Sequence, residues 1–287
     1  MFRKRLLTSI FLILLLIGSI LISHQAPILF FLVGNLVVML GMREFLRMTD
    51  GIKGLGILGG ALVFSVGFIT SLGANPGTIS ENMQLPVNFE WLDATVFLVV
   101  ISFFLFQATR RDGSPAIGKI CTTIAGIIYV SWLFSFIPKI NYYLFQKPGG
   151  EGIWYIFFLF LVVKVNDSGA YLIGSKWGQH KLIPRISPGK TVEGAVGGVM
   201  AGGLAAIGGK FAFHLVRLSW PAALTLGIVL GVTAVAGDLA ESMLKRDSGR
   251  KDSGRTLPGM GGVLDLMDSI YFTAPLLYFY MKLILKL

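Results

Sequence analysis

The sequence predicts an all-α, polytopic integral membrane protein, and three observations carry that prediction. Hydrophobic residues make up 54% of the chain and charged residues 14%, too little polar surface to cover a soluble protein of this size. The apolar residues form continuous runs, without the strict alternation of a membrane barrel. Finally, in a chain of net charge +10, the basic residues gather at alternate ends of those runs.

About nine runs suit helices that cross roughly 30 Å of hydrocarbon. They lie near 6–22, 26–42, 54–73, 92–108, 115–137, 152–166, 193–212, 220–240 and 263–285; the sixth is short and the seventh rich in glycine. Arg3, Lys4 and Arg5 ahead of the first run give it the look of a signal peptide. No small-x-small cleavage site follows and the run is long enough to span, so it reads as a retained helix. With the N-terminus cytoplasmic, eighteen Lys and Arg fall on the inner side and six on the outer, as the positive-inside rule demands. This places the protein in the cell membrane and explains its basic balance without nucleic acid. Cys121 is the single cysteine, which excludes an intramolecular disulfide.

Residues 1–150 read as a transmembrane scaffold in which nothing looks chemical. Residues 151–287 read as transmembrane helices joined by long, polar, cytoplasmic catalytic loops, the whole forming one membrane domain. Glycines recur at small-xxx-small spacing at Gly56 and Gly60, at Gly194, Gly198 and Gly202, and at Gly227 and Gly231. Such spacing lets helix backbones approach closely, and it would equally suit a homodimer contact.

Carboxylates at the ends of membrane helices are costly and therefore informative. Asp238 and Glu241 close the eighth run three residues apart, on one helical face; Asp265 and Asp268 open the ninth with the same spacing. Hard oxygen ligands that converge in this way suit Mg²⁺ bound together with substrate phosphates. The segment between the pairs holds Lys245, Arg246, Arg250, Lys251 and Arg255, with Gly259, Gly261 and Gly262 leading into the ninth helix. Its cations can contact phosphate oxygens, and its exposed backbone N–H groups can cradle an anion at a helix start. A plainer reading makes it a solvated basic loop.

A second polar segment runs from Asn166-Asp167-Ser168 through His180 to Ser187-Pro188-Gly189-Lys190-Thr191 and Glu193-Gly194. Gly189-Lys190-Thr191 imitates the end of a phosphate loop, but Pro184 stands where that loop needs its first glycine, and no strand is expected before it. Ser187 to Glu193 reads instead as a helix start, a hydroxyl cap with Glu behind it, where Lys190 and Thr191 can hold a phosphate. His180 alone reads as a loop residue.

These residues resemble the signature of the phosphatidate cytidylyltransferases, also called CDP-diacylglycerol synthases. The signature is matched by Ser242, Lys245, Arg246, Lys251, Asp252, Gly254, Pro258, Gly261, Gly262, Asp265 and Asp268, and the segments at Asn166-Asp167 and Ser187 to Gly194 are also similar to the family. Two positions depart: Met260 stands where the family usually has His, and Leu266 where it usually has Arg.

The resemblance implies transfer of CMP from CTP to phosphatidate, giving CDP-diacylglycerol and pyrophosphate. It implies a divalent ion, Mg²⁺, on Asp238, Asp265 and Asp268, with Glu241 beside them and K⁺ as a second cation. Lys245 and Lys251 would act in catalysis. Asn166, Asp167, Ser187, Lys190, Thr191, Glu193, Ser242, Arg246, Asp252, Gly261 and Gly262 would contact substrate. Two other readings fit less well: a CTP-dependent lipid or polyprenol kinase, which would release CDP, and a transporter for an anionic solute, which would hold its acids near mid-membrane.

Overall fold

A computed structural model describes residues 14–73, 89–109, 116–143, 152–254, 256 and 261–286. The chain forms two compact units. The first comprises Met1–Tyr142 and Asp252–Leu266, the second Tyr143–Lys251 and Met267–Leu287.

The first unit is helical throughout its described part. Residues 14–21 are α1, followed by α2 (Pro27–Met48), α3 (Lys53–Gly73), α4 (Phe89–Ala108) and α5 (Ala116–Gly126). A π-helical turn (Ile127–Trp132) and α6 (Phe136–Tyr143) complete it. Phe30, Phe64, Phe68, Phe134 and Tyr142 are buried together, with Phe68 5.6 Å from both Phe30 and Tyr142. Such tilted ring pairs add to simple area burial. The turn after α2 is fixed from a distance: Thr123 Oγ1 accepts the Ile52 N–H at 2.9 Å.

The second unit packs α7 (Gly152–Trp177), α8 (Val192–Ala212) and α9 (Trp220–Asp247). A Cβ on Gly198 of α8 would lie 2.7 Å from the Asn166 carbonyl and 2.8 Å from Ala170 Cβ in α7, so only glycine permits this approach. Gly231 of α9 faces Asn166 Oδ1 and the Val199 backbone. The small-residue stripes are thus used between helices of one chain, as the packing reading expects. Helix α9 ends in a left-handed glycine: Gly249 has φ +67°, while the Arg250 and Gly249 N–H groups bond back to the Lys245 and Arg246 carbonyls at 2.8 and 3.0 Å. That is the Schellman arrangement.

The structure differs from the sequence expectation at several elements. Helix α7 does not stop at 166 but continues to Trp177, so Asn166, Asp167 and Ser168 are helical. Helix α9 runs to Asp247, which puts Lys245 and Arg246 on a helix and not in a loop. A short antiparallel hairpin, β1 (Lys181–Ile183) with β2 (Ser187–Thr191), occupies a segment where no strand was expected. The last helix, α10 (Val263–Leu283), carries Pro275 inside it.

Six described helical stretches are long and apolar enough to cross a membrane: Pro27–Met48, Lys53–Leu72, Ala116–Tyr142, Gly152–Trp177, Val192–Ala212 and Trp220–Asp247. Their outward residues are large and apolar, as Met200 and Leu204 show; water would not tolerate such a surface, whereas acyl chains do. The start of the first run, Arg255, and Pro258 to Met260 lie outside the described residues.

Candidate active site

The second unit brings together three carboxylates. Asp238 and Glu241 stand one helical turn apart on α9 and meet Asp268 of α10, each offering an oxygen within 4.8 Å of the others. Glu241 is fully buried and Asp268 9% exposed. The helices can close here because Gly237 has no side chain: a Cβ on it would lie 2.8 Å from the Asp268 carbonyl oxygen.

Buried acids need counter-charge, and two lysines supply it. Lys190 Nζ of β2 sits 2.5 Å from Asp238 Oδ2, and Lys245 pairs with Glu241 one turn along α9. Ser242 Oγ lies 3.5 Å from Asp238 Oδ1. On α7, Lys164 pairs with Asp167 at 3.6 Å, and both lie within electrostatic range of Asp268. Lys164 belongs to no motif in the sequence, although a lone charge inside an apolar run is a usable signal.

Beside the acids lies a cavity of about 440 Å³, walled by α7, the hairpin, α8 and α9. Asn166, Asp167, Ser187, Lys190, Thr191 and Asp238 all line it. Asn166 is 1% exposed, and its Oδ1 has no hydrogen-bond partner among the described residues. An apolar cleft of about 600 Å³ between α8 and α9 shares Ala195 and Val235 with this cavity.

The hairpin is tied at both ends. Thr191 caps α8, its hydroxyl accepting the Gly194 N–H at 3.2 Å, as the expected helix start requires. Glu193 does not fold back on the cap. Its carboxylate accepts the Gln179 and His180 N–H groups at 3.1 and 3.2 Å and lies 2.6 Å from His180 Nδ1. Arg246 donates from Nε to the Ile186 carbonyl at 3.1 Å. Lys251 and Asp252 are exposed.

Asp265 and the signature glycines belong to the first unit. Asp265 Oδ2 accepts the Ser253 hydroxyl at 2.8 Å, the Ser253 N–H at 3.2 Å and the Gly262 N–H at 2.6 Å. Gly261 takes φ +94°. Glu44 of α2, in the half where nothing looked chemical, is buried against this segment, with Oε2 accepting the Leu264 N–H at 3.0 Å.

Comparison with known proteins agrees with this chemistry. The model of the cytidylyltransferase family matches residues 3–284. A phosphatidate cytidylyltransferase of Staphylococcus epidermidis is 34% identical over 275 residues, covering 96% of this chain and 97% of the relative. Those of Staphylococcus aureus and Staphylococcus saprophyticus are 32% and 34% identical with the same coverage. Matched along nearly its entire length by both the family model and these relatives, the chain belongs to the cytidylyltransferase family.

Proposed function

We propose that the protein transfers CMP from CTP to phosphatidate, forming CDP-diacylglycerol and pyrophosphate at the cytoplasmic side of a membrane that its helices cross about nine times. The observation that carries the reading is the Asp238–Glu241–Asp268 cluster, in which Glu241 and Asp268 are buried, paired with Lys190 and Lys245 beside a cavity that Asn166, Asp167 and Lys190 line.

The reaction asks for charge neutralisation more than proton transfer. An oxygen of the phosphatidate phosphate, already ionised, forms a bond to the α-phosphorus while the bond from that phosphorus to the bridging oxygen breaks and pyrophosphate leaves. No strong base is needed, so the protein's work is alignment and electrostatic stabilisation. Three close, hard carboxylate oxygens fit a divalent cation such as Mg²⁺, which when bound would screen the triphosphate and polarise its phosphorus centre. In this reading Asp238, Glu241 and Asp268 hold that ion, with Asp265 as the expected further ligand and K⁺ as an expected second cation.

Lys190 and Lys245, placed on the acids, turn toward phosphate oxygens when substrate enters, supported by Arg246 and Lys251. The unpartnered Asn166 Oδ1 suits a donor on the nucleotide. Asp167, Ser187 and Thr191 supply polar groups to the cavity wall, Ser242 stands beside Asp238, and Asp252, Gly261 and Gly262 complete the phosphate contacts. The apolar cleft adjoining the cavity suits the acyl part of a lipid whose head group sits among the polar residues.

Purified protein given CTP and phosphatidate with Mg²⁺ is expected to release pyrophosphate and a CDP-lipid. Asp238→Asn and Asp265→Asn are each expected to abolish this while the protein stays folded in detergent. Release of CDP with a newly phosphorylated lipid would establish a kinase instead, and full activity in either variant would remove its metal role.

A further inference from the structure

We infer that Glu44 is a positioning residue for the signature segment, acting through Asp265; the inference rests on the function proposed above. Glu44 lies in α2 and is 3% exposed, yet its partners stand some 220 residues further along the chain. Its Oε2 accepts the Leu264 N–H, one of the first amides of α10 that no helix carbonyl can satisfy. A carboxylate at that point also complements the positive end of the helix dipole.

The segment closes around this carboxylate on two more sides. A Cβ on Gly254 would lie 2.5 Å from Glu44 Oε1, and one on Gly262 would collide with Glu44 and with the Ser253 hydroxyl. Thr256 and the Val263 N–H lie within hydrogen-bonding reach of the same group. Ser253 and Gly262, held by this packing, both donate to Asp265. Glu44 is therefore the fixed point from which Asp265 is aimed. An apolar side chain would fill the same space without an acceptor for the Leu264 amide, which accounts for a buried acid whose desolvation is costly.

The test combines hydrogen exchange with kinetics on the full-length protein in detergent. Glu44→Gln keeps the size and one acceptor oxygen; Glu44→Ala removes both. Faster amide exchange across 253–266 is expected in Glu44→Ala, with a smaller change in Glu44→Gln. The kcat for CDP-lipid formation should fall at least tenfold in Glu44→Ala, since small misplacements of a reacting group cost that much or more. The KM for phosphatidate should stay near that of the wild type. In an Asp265→Glu background, which keeps a carboxylate and residual turnover, the further loss at Glu44 should be small. Unchanged exchange would overturn the hold on the segment. Faster exchange with an unchanged kcat per folded molecule, or fully additive losses with Asp265→Glu, would overturn the positioning role. A wild-type protein that makes no CDP-lipid would instead overturn the proposed function, while the exchange arm would still decide what Glu44 holds.

Discussion

Asp238 meets three kinds of neighbour at once: a lysine on a strand, a serine on its own helix and an acid on the next helix. Its pairing with Glu241 was readable in advance, because residues three apart on a helix must share a face. The pairing with Lys190 was not readable, because it depends on a hairpin that lays Lys190 across α9. Replacing Lys190 by Met should lower kcat/KM for CTP roughly 10- to 100-fold, the worth of one charge-assisted contact of about 1.5–3 kcal/mol. Steady-state kinetics over a CTP series would check this, and Lys190→Arg should recover part of the loss. Glu44 and Lys164 escaped notice for different reasons. The first has partners too distant in sequence for any pattern to join. The second is a lone charge whose partner Asp167 lies beyond the point where the apolar run ends.

Most helices were legible, since their apolar lengths alone dictate a spanning role. Their polar ends were not. Hydropathy falls at Asn166 and again at Asp238, but α7 and α9 continue because those polar residues face a cavity and one another, so the backbone has no reason to leave the helix. The hairpin is too short for a periodic signal, one strand being three residues and the other five. Glycine spacing did forecast the α7–α8 seam, and it yields a matched pair of variants. Gly198→Ala forces a methyl against a backbone carbonyl that cannot move aside, at a cost of about 1–3 kcal/mol. Gly208→Ala on the same helix meets open space and should gain about 0.5–1 kcal/mol from helix propensity. Thermal unfolding in detergent should move in opposite directions for the two. Because Gly198 packs on the residue that carries the cavity's unpartnered amide oxygen, its variant should also lose activity.

Across the whole molecule, the helical walls of the cavity and two of the three clustered acids belong to helices long and apolar enough to cross a membrane, so in the proposed function stability and activity draw on the same contacts. A cluster of acids on its own would fold only around a metal, as many small metal sites do. The Lys190–Asp238 and Lys245–Glu241 pairs argue otherwise. The two ammonium groups already offset much of the charge on the three carboxylates, and Lys164 lies within electrostatic range of Asp268. Chelation by EDTA should therefore silence the enzyme while moving its melting temperature by no more than a few degrees, as scanning fluorimetry in detergent would record. The chain brings its own counterions, so newly inserted protein is expected to reach its final shape in a membrane before it meets a metal.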